Sequence, residues 1–295
     1  MNSRPVKTAI FPVGGLGTRF LPATKSMPKE MLPIANKPII QYAFEEARNA
    51  GIEKFIFVTG RNKNAINNHF DHSYELESKL DENNKSQELS KVVGWMPSAG
   101  QIAFVRQQKP LGLGHAIWCA RNFIDRNEAF IVILADEMML ELDNQEENFL
   151  KKMINFYHQK SIESSIVAVG EVNKNQVSAY GIIDIDNSQK QNIVNMIEKP
   201  AMEDAPSNLA ITGRYILQPE IFDYLAKCEI GKGGEIELTD AMNLMLKDYP
   251  FFYKKITSPR FDCGNVLGYL EANIAFAINN SSISAQVKEM IKKYQ

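Results

Sequence analysis

Thr8-Ala9-Ile10-Phe11-Pro12-Val13-Gly14-Gly15-Leu16-Gly17-Thr18-Arg19 decides the fold, because a short apolar strand runs directly into a glycine loop. That order opens nucleotide-binding α/β folds, in which free backbone amides of the loop face phosphate. The loop is not a complete dinucleotide fingerprint: Phe20 stands where the third glycine belongs, and no acidic residue ends the next strand. Nor is it a P-loop, since the chain contains no Gly-Lys-Ser or Gly-Lys-Thr. What it offers is close backbone approach at Gly14 and Gly15, with Arg19 as a fork-shaped donor to phosphate oxygens.

Outward from the loop, a helix is expected from Pro38 to a stop at Gly51, followed by a strand over Lys54–Thr59. Residues 101–105 and 130–134 read as further strands, with a helix over 114–124 between them. Continuous apolar strands separated by helices predict a parallel sheet covered on both faces. Residues 62–91 are polar and charged, with sparse apolar positions such as Ile66 and Phe70, and predict solvent-facing helix and loop. The second half is richer in strands, at 165–169, 181–185, 194–197 and 210–217, with helices near 149–159 and 219–226, so the sheet is expected to be mixed. Residues 266–278 and 283–293 read as two C-terminal helices with apolar stripes. No repeat or linker divides the chain, so one domain over 1–295 is expected, with 264–295 as a helical segment suited to forming an oligomer.

Composition narrows the function classes. The 33 basic and 35 acidic side chains nearly cancel, to a net charge of −2, which argues against nucleic acid or an anionic membrane as partner. The longest clean apolar run, residues 129–135, falls far short of the roughly 18 residues a spanning helix needs. The first residues carry no apolar stretch of signal-peptide length, and Cys119, Cys228 and Cys263 form no CxxC pair. A cytoplasmic protein is expected.

Two features need more than the loop to interpret. Lys29, in Met27-Pro28-Lys29-Glu30-Met31-Leu32-Pro33, alone reads as a surface lysine, and Asp136, directly after the apolar strand, alone reads as a cap or loop aspartate. Yet Asp136 also sits at a strand's carboxyl end, where open α/β sheets place their ligands. Asp262, in Arg260-Phe261-Asp262-Cys263-Gly264-Asn265, alone reads as a turn residue.

Taken together, the segment from Gly15 to Pro33 resembles the signature of the sugar-1-phosphate nucleotidyltransferases, in particular their uridylyl branch. The resemblance continues through Gly112-Leu113-Gly114-His115-Ala116, Ala179-Tyr180-Gly181, Glu198-Lys199-Pro200, Glu235-Ile236-Glu237-Leu238-Thr239-Asp240 and Asp262-Cys263-Gly264-Asn265, over nearly the whole chain. It implies a Rossmann-like, three-layer nucleotide-diphospho-sugar transferase fold, with a mostly parallel mixed central sheet flanked by helices. The implied reaction joins UTP and glucose 1-phosphate into UDP-glucose and pyrophosphate. Arg19, Lys29, Asp136 and Asp262 are implied as catalytic, with Asp136 and Asp262 holding Mg²⁺, a pair sufficient for an ion that keeps waters and substrate phosphates as its other ligands. The implied substrate-binding residues are Gly14, Gly15, Gln107 and Gly112 for the base, Lys25 for the triphosphate, and Tyr180, Gly181, Glu198 and Lys199 for the sugar phosphate. Homodimers or homotetramers are implied too. The chain departs from the family pattern at Ala135 and Glu137, which flank Asp136 and leave the role of Glu137 open. A thymidylyl specificity is the competing enzyme reading, and a non-catalytic, sugar-nucleotide-binding regulatory subunit is the reading from another class.

Overall fold

The computed structural model describes residues 3–141, 147–160, 163–186, 191–231 and 233–294. Its strands are β1 (Val6–Val13), β2 (Pro33–Ile34), β3 (Lys37–Pro38), β4 (Lys54–Thr59), β5 (Ile102–Arg106), β6 (Ala129–Ile133) and β7 (Glu137–Met139) in the first half. The second half adds β8 (Ser165–Glu171), β9 (Gly181–Ile185), β10 (Ile193–Glu198), β11 (Leu209–Leu217), β12 (Phe251–Lys255) and β13 (Arg260–Asp262). The helices are α1 (Ile39–Asn49), α2 (Asn64–His69), α3 (Tyr74–Glu82), α4 (Ser86–Val93), α5 (Gly112–Cys119), α6 (Phe149–Tyr157), α7 (Ile221–Leu225), α8 (Leu238–Met245), α9 (Val266–Asn279) and α10 (Ser284–Lys292).

Among the described residues nine strands form the central sheet in the order β10-β9-β11-β6-β1-β4-β5, with β8 beside β11 and β12 beyond β8. β6, β1, β4 and β5 run parallel, and β11 enters antiparallel against β6. Because side chains alternate across a strand, Ala9, Phe11 and Val13 face one layer while Ile10 faces the other. The first layer packs under α1, α6 and α9, where Phe11 stacks on Phe57 with ring centroids 4.8 Å apart. The second lies under α5, α7 and α8, where Phe130 stacks on Phe222 at 5.2 Å. Every residue of β6 is buried, which is why its sequence shows no polar face.

The excursion after β4 differs in part from its expected solvent exposure. α3 and α4 bury no residue, but Ile66 and Phe70 enter the core, and Phe70 packs on Phe57 at 4.6 Å. Their apolar spacing is too short to stand out from the polar residues around them. β12, β7 and the pairing of β7 with β13 in a ribbon also escape the sequence reading. The ribbon pairs Asp262 with Glu137 and Phe261 with Met138, across more than a hundred residues of chain.

Candidate active site

The loop after β1 folds over a lysine. Gly17 takes φ +68°, and a Cβ there would meet the side chains of Thr24 and Lys29 at 3.2 Å, so glycine serves both the left-handed turn and the close contact. Thr24 Oγ1 donates to the Gly17 carbonyl at 2.7 Å and closes the turn. From beneath the loop, Lys29 Nζ donates to Asp136 Oδ2 at 2.6 Å.

The β7–β13 ribbon brings the second carboxylate to the same place. The Cys263 N–H donates to the Asp136 carbonyl at 2.7 Å. The point where a Gly264 Cβ would stand lies 2.8 Å from Asp262 Oδ1, 3.1 Å from Asp136 Oδ2 and 3.8 Å from Arg19 Nη1. Asp262 is held in turn by the Gly264 N–H at 2.8 Å and by Asn265 Nδ2 at 3.0 Å, while Asn265 Oδ1 caps α9 at the Gly268 N–H. Two carboxylates facing one point suit a small hard cation that completes its shell with water and phosphate oxygens. Among the described residues no group of three ligating side chains forms.

Electrostatics keep the cluster charged. Burial pushes the Asp136 carboxyl up, but the Lys29 ammonium and its hydrogen bond outweigh that and hold it below the ordinary aspartate range. Burial likewise depresses the Lys29 ammonium, and the Asp136 and Glu30 carboxylates more than offset it, so Lys29 stays a cation. Glu137 is different. Burial, with Asp262 and Asp136 nearby, lifts it to about 7 against the pull of Arg260, whose Nη1 stands 3.4 Å away. Cys263, buried beside them, has its thiol pushed up to about 12 by burial, which makes it packing and not a nucleophile.

A cavity opens from the carboxylates toward β9 and β10, lined by Arg19, Asp136, Glu137, Tyr180, Gly181, Glu198, Glu237, Thr239 and Asp262 among others. β10 pairs Glu198 with Gly181 of β9, and a Cβ on Gly181 would stand 3.0 Å from Thr239 Oγ1 and 3.1 Å from Glu198 Oε2. The Thr239 hydroxyl donates to Glu198 Oε2 at 2.6 Å. Lys199 turns its backbone to φ +44° and donates its N–H to the Tyr180 carbonyl at 3.0 Å, while its Nζ lies 3.1 Å from Glu198 and 3.5 Å from Glu237. Carboxylates and a lysine around a glycine have the chemistry to accept from hydroxyls and to pair with a phosphate.

On the other side of the loop, Gln107 follows β5, is buried, and hangs from the Thr59 carbonyl by its backbone N–H at 2.9 Å. Its Nε2 donates to the Gly112 carbonyl at 3.1 Å, and its Oε1 lies 2.8 Å from where a Gly14 Cβ would be. The structure therefore gathers Arg19, Lys29, Asp136, Asp262, Tyr180, Gly181, Glu198 and Lys199 around the cluster and its cavity, and Gly14, Gln107 and Gly112 beside the loop. Gly15 covers Lys29, since a Cβ there would stand 3.8 Å from Lys29 Cε. Lys25 is exposed and makes no ion pair among the described residues. Glu237, Thr239 and Arg260 join the site without having been singled out by sequence. For Glu237 and Thr239 the available signal was the motif Glu235 to Asp240, and for Arg260 the motif Arg260 to Asn265, each of which marks its segment without assigning these side chains.

The family model for nucleotidyl transferases matches residues 8–278. A UTP-glucose-1-phosphate uridylyltransferase from Bacillus subtilis is 45% identical over 286 residues, covering 96% of this chain and 95% of that protein. A structure of a UTP-bound UGPase from Acinetobacter baumannii superposes with a TM-score of 0.89 at 35% identity, covering 98% of this chain and 100% of that one. A UDP-glucose pyrophosphorylase complexed with UDP-glucose superposes at 0.79 with 43% identity, covering 92% of this chain and 98% of that one.

Proposed function

The chain belongs to the nucleotidyl transferase family, and we propose that it joins UTP to α-D-glucose 1-phosphate, giving UDP-glucose and pyrophosphate. The observation that carries the residue assignment is the convergence of Lys29, Arg19, Asp136 and Asp262 where the glycine loop meets the β7–β13 ribbon.

A phosphate oxygen of the sugar phosphate attacks the UTP α-phosphorus, that bond forms as the bond to pyrophosphate breaks, and pyrophosphate leaves with the electron pair. The nucleophile is already an anion, so no general base is needed. Catalysis reduces to holding two mutually repelling anions in line and balancing charge as it shifts to the leaving group. Arg19 and Lys29 serve the triphosphate, with Lys25 as an outer contact. Lys199 receives the sugar phosphate, Glu198 accepts from hexose hydroxyls, and Gly181 beside Tyr180 lets the ring approach the backbone. Gln107, with Gly14, Gly15 and Gly112, reads the base. Asp136 and Asp262 would hold Mg²⁺, which supplies charge neutralisation to phosphate oxygens when bound. Removal of divalent metal by a chelator is expected to abolish product formation, and added Mg²⁺ to restore it.

Pyrophosphate release measured side by side with UTP and dTTP tests the specificity. UTP is expected to be preferred, as the uridylyl name of relatives at this identity supports, and a strong dTTP preference would overturn the assignment. A silent regulatory subunit would be free to lose Lys29 or either aspartate, whereas this chain keeps all three: Lys29 bonds to Asp136, and Asp262 stands next to it beside Gly264.

The reaction's phosphorylated substrates and the free thiols of Cys119, Cys228 and Cys263 support a cytoplasmic setting. The outer face of α9 exposes Leu267, Leu270 and Ile274, and α10 buries none of its residues, so this face is assigned to self-association as a homodimer or homotetramer. Leu270→Glu combined with Ile274→Glu is expected to shift the sedimentation coefficient to that of a monomer. An unchanged coefficient would remove the C-terminal helices from the interface.

A further inference from the structure

We propose that His115 fixes the donor–acceptor sense in which Gln107 meets the base, and so sets the preference for uracil over cytosine. The inference rests on Gln107 being the base reader. A glutamine side chain carries one carbonyl acceptor and an amide nitrogen with two donor hydrogens. The Gly112 carbonyl, 3.1 Å from Nε2, can only accept, so it takes one of those hydrogens. His115 Nδ1 stands 3.1 Å from the same nitrogen and takes the other.

For Nδ1 to accept, the imidazole must be neutral with its proton on Nε2. Its surroundings favour that state, because burial and then the Arg121 guanidinium both depress its proton affinity. Cys119 Sγ, 3.8 Å from Nδ1, is a thiol raised by burial and adds no negative charge that would favour the cation. Both amide hydrogens are thus committed away from the ligand. The Oε1 atom is left facing Gly14, as an acceptor of fixed sense.

Uracil presents N3–H as a donor between two carbonyls, and a fixed carbonyl from the protein matches it. Cytosine presents a lone pair at N3, which meets that carbonyl as repulsion. A site whose polar groups cannot reorient rejects the mismatched base more strongly than one that adapts. His115 touches no substrate in this scheme and acts through Gln107, which makes it a positioning residue.

The test is the ratio of kcat/KM for UTP to that for CTP, measured for His115→Leu, His115→Asn and Gln107→Leu. His115→Leu removes one of the two anchors and is expected to lower the ratio about tenfold, of the size expected for one hydrogen bond. His115→Asn keeps an acceptor, its Oδ1, near the place of Nδ1, and is expected to hold the ratio near that of the unaltered protein. A loss of packing alone would lower the melting temperature without this split between the two variants. If His115→Leu keeps the full ratio, or His115→Asn relaxes it equally while Gln107→Leu still relaxes it, His115 has no such role and Gln107 remains the reader. An unchanged ratio in Gln107→Leu would remove the base reader itself, and the role of His115 with it.

Discussion

Lys29→Met is expected to slow UDP-glucose formation by on the order of 10² to 10³-fold while the chain stays folded, the range seen when one preorganised electrostatic contact to the transition state is removed. Two losses combine. The ammonium proposed to meet the triphosphate disappears, and the Asp136 carboxylate loses the partner that holds its proton affinity down at 2.6 Å. Lys29→Arg is not expected to rescue, because the guanidinium is a broad planar fork and the pocket beneath Gly15 and Gly17 fits a thin methylene stem. Asp136→Asn should fall as far, by a different route: the amide keeps the shape but supplies no charge for a cation. Initial rates of pyrophosphate release, alongside circular dichroism to verify the fold, measure both. Near-normal turnover in either variant would overturn the assignment of the cluster.

How much of this was legible follows from where each residue's partners lie. The strand–glycine-loop opening and the apolar run before Asp136 placed the loop and one carboxylate on a parallel sheet, because those signals are local and their periodicity is strong. The meeting of Asp262 with Asp136 was not derivable from residue patterns. It depends on a ribbon of three residues a side, closed between distant segments, and only the family resemblance brought the two aspartates together. β12 was invisible for a related reason: Phe251–Lys255 ends in two lysines and finds its partner, β8, some eighty residues upstream. The burial of Glu30 and Lys63 ran against their charge, and hydropathy reads such residues as surface. The donor sense of Gln107 lies beyond sequence altogether, since it is set by two acceptors that converge only in the fold.

Lys63→Met is the substitution expected to damage stability most, by about 3–5 kcal/mol at neutral pH, the usual result of leaving one member of a buried ion pair alone. Lys63 Nζ meets Glu30 Oε2 at 2.7 Å, and the two residues are 6% and 2% exposed. Glu30 directly follows Lys29, and Lys63 precedes α2, so the pair ties the turn carrying Lys29 to the segment leaving β4. Burial outweighs the neighbouring ammoniums and lifts the Glu30 carboxyl above the ordinary glutamate range even in the intact protein. In Lys63→Met it rises further, so the folded state binds a proton more tightly than the unfolded chain does. With an acid's folded value raised, stability is fully present below the unfolded value near 4.3 and is lost as pH climbs through the folded one. The deficit measured by urea unfolding should therefore shrink from pH 7 to pH 5. Adding Glu30→Leu should recover much of it, because two apolar side chains need no partner there. A deficit below about 1 kcal/mol at pH 7, or one that grows toward acid, would show that the charge of Glu30 is not what Lys63 compensates.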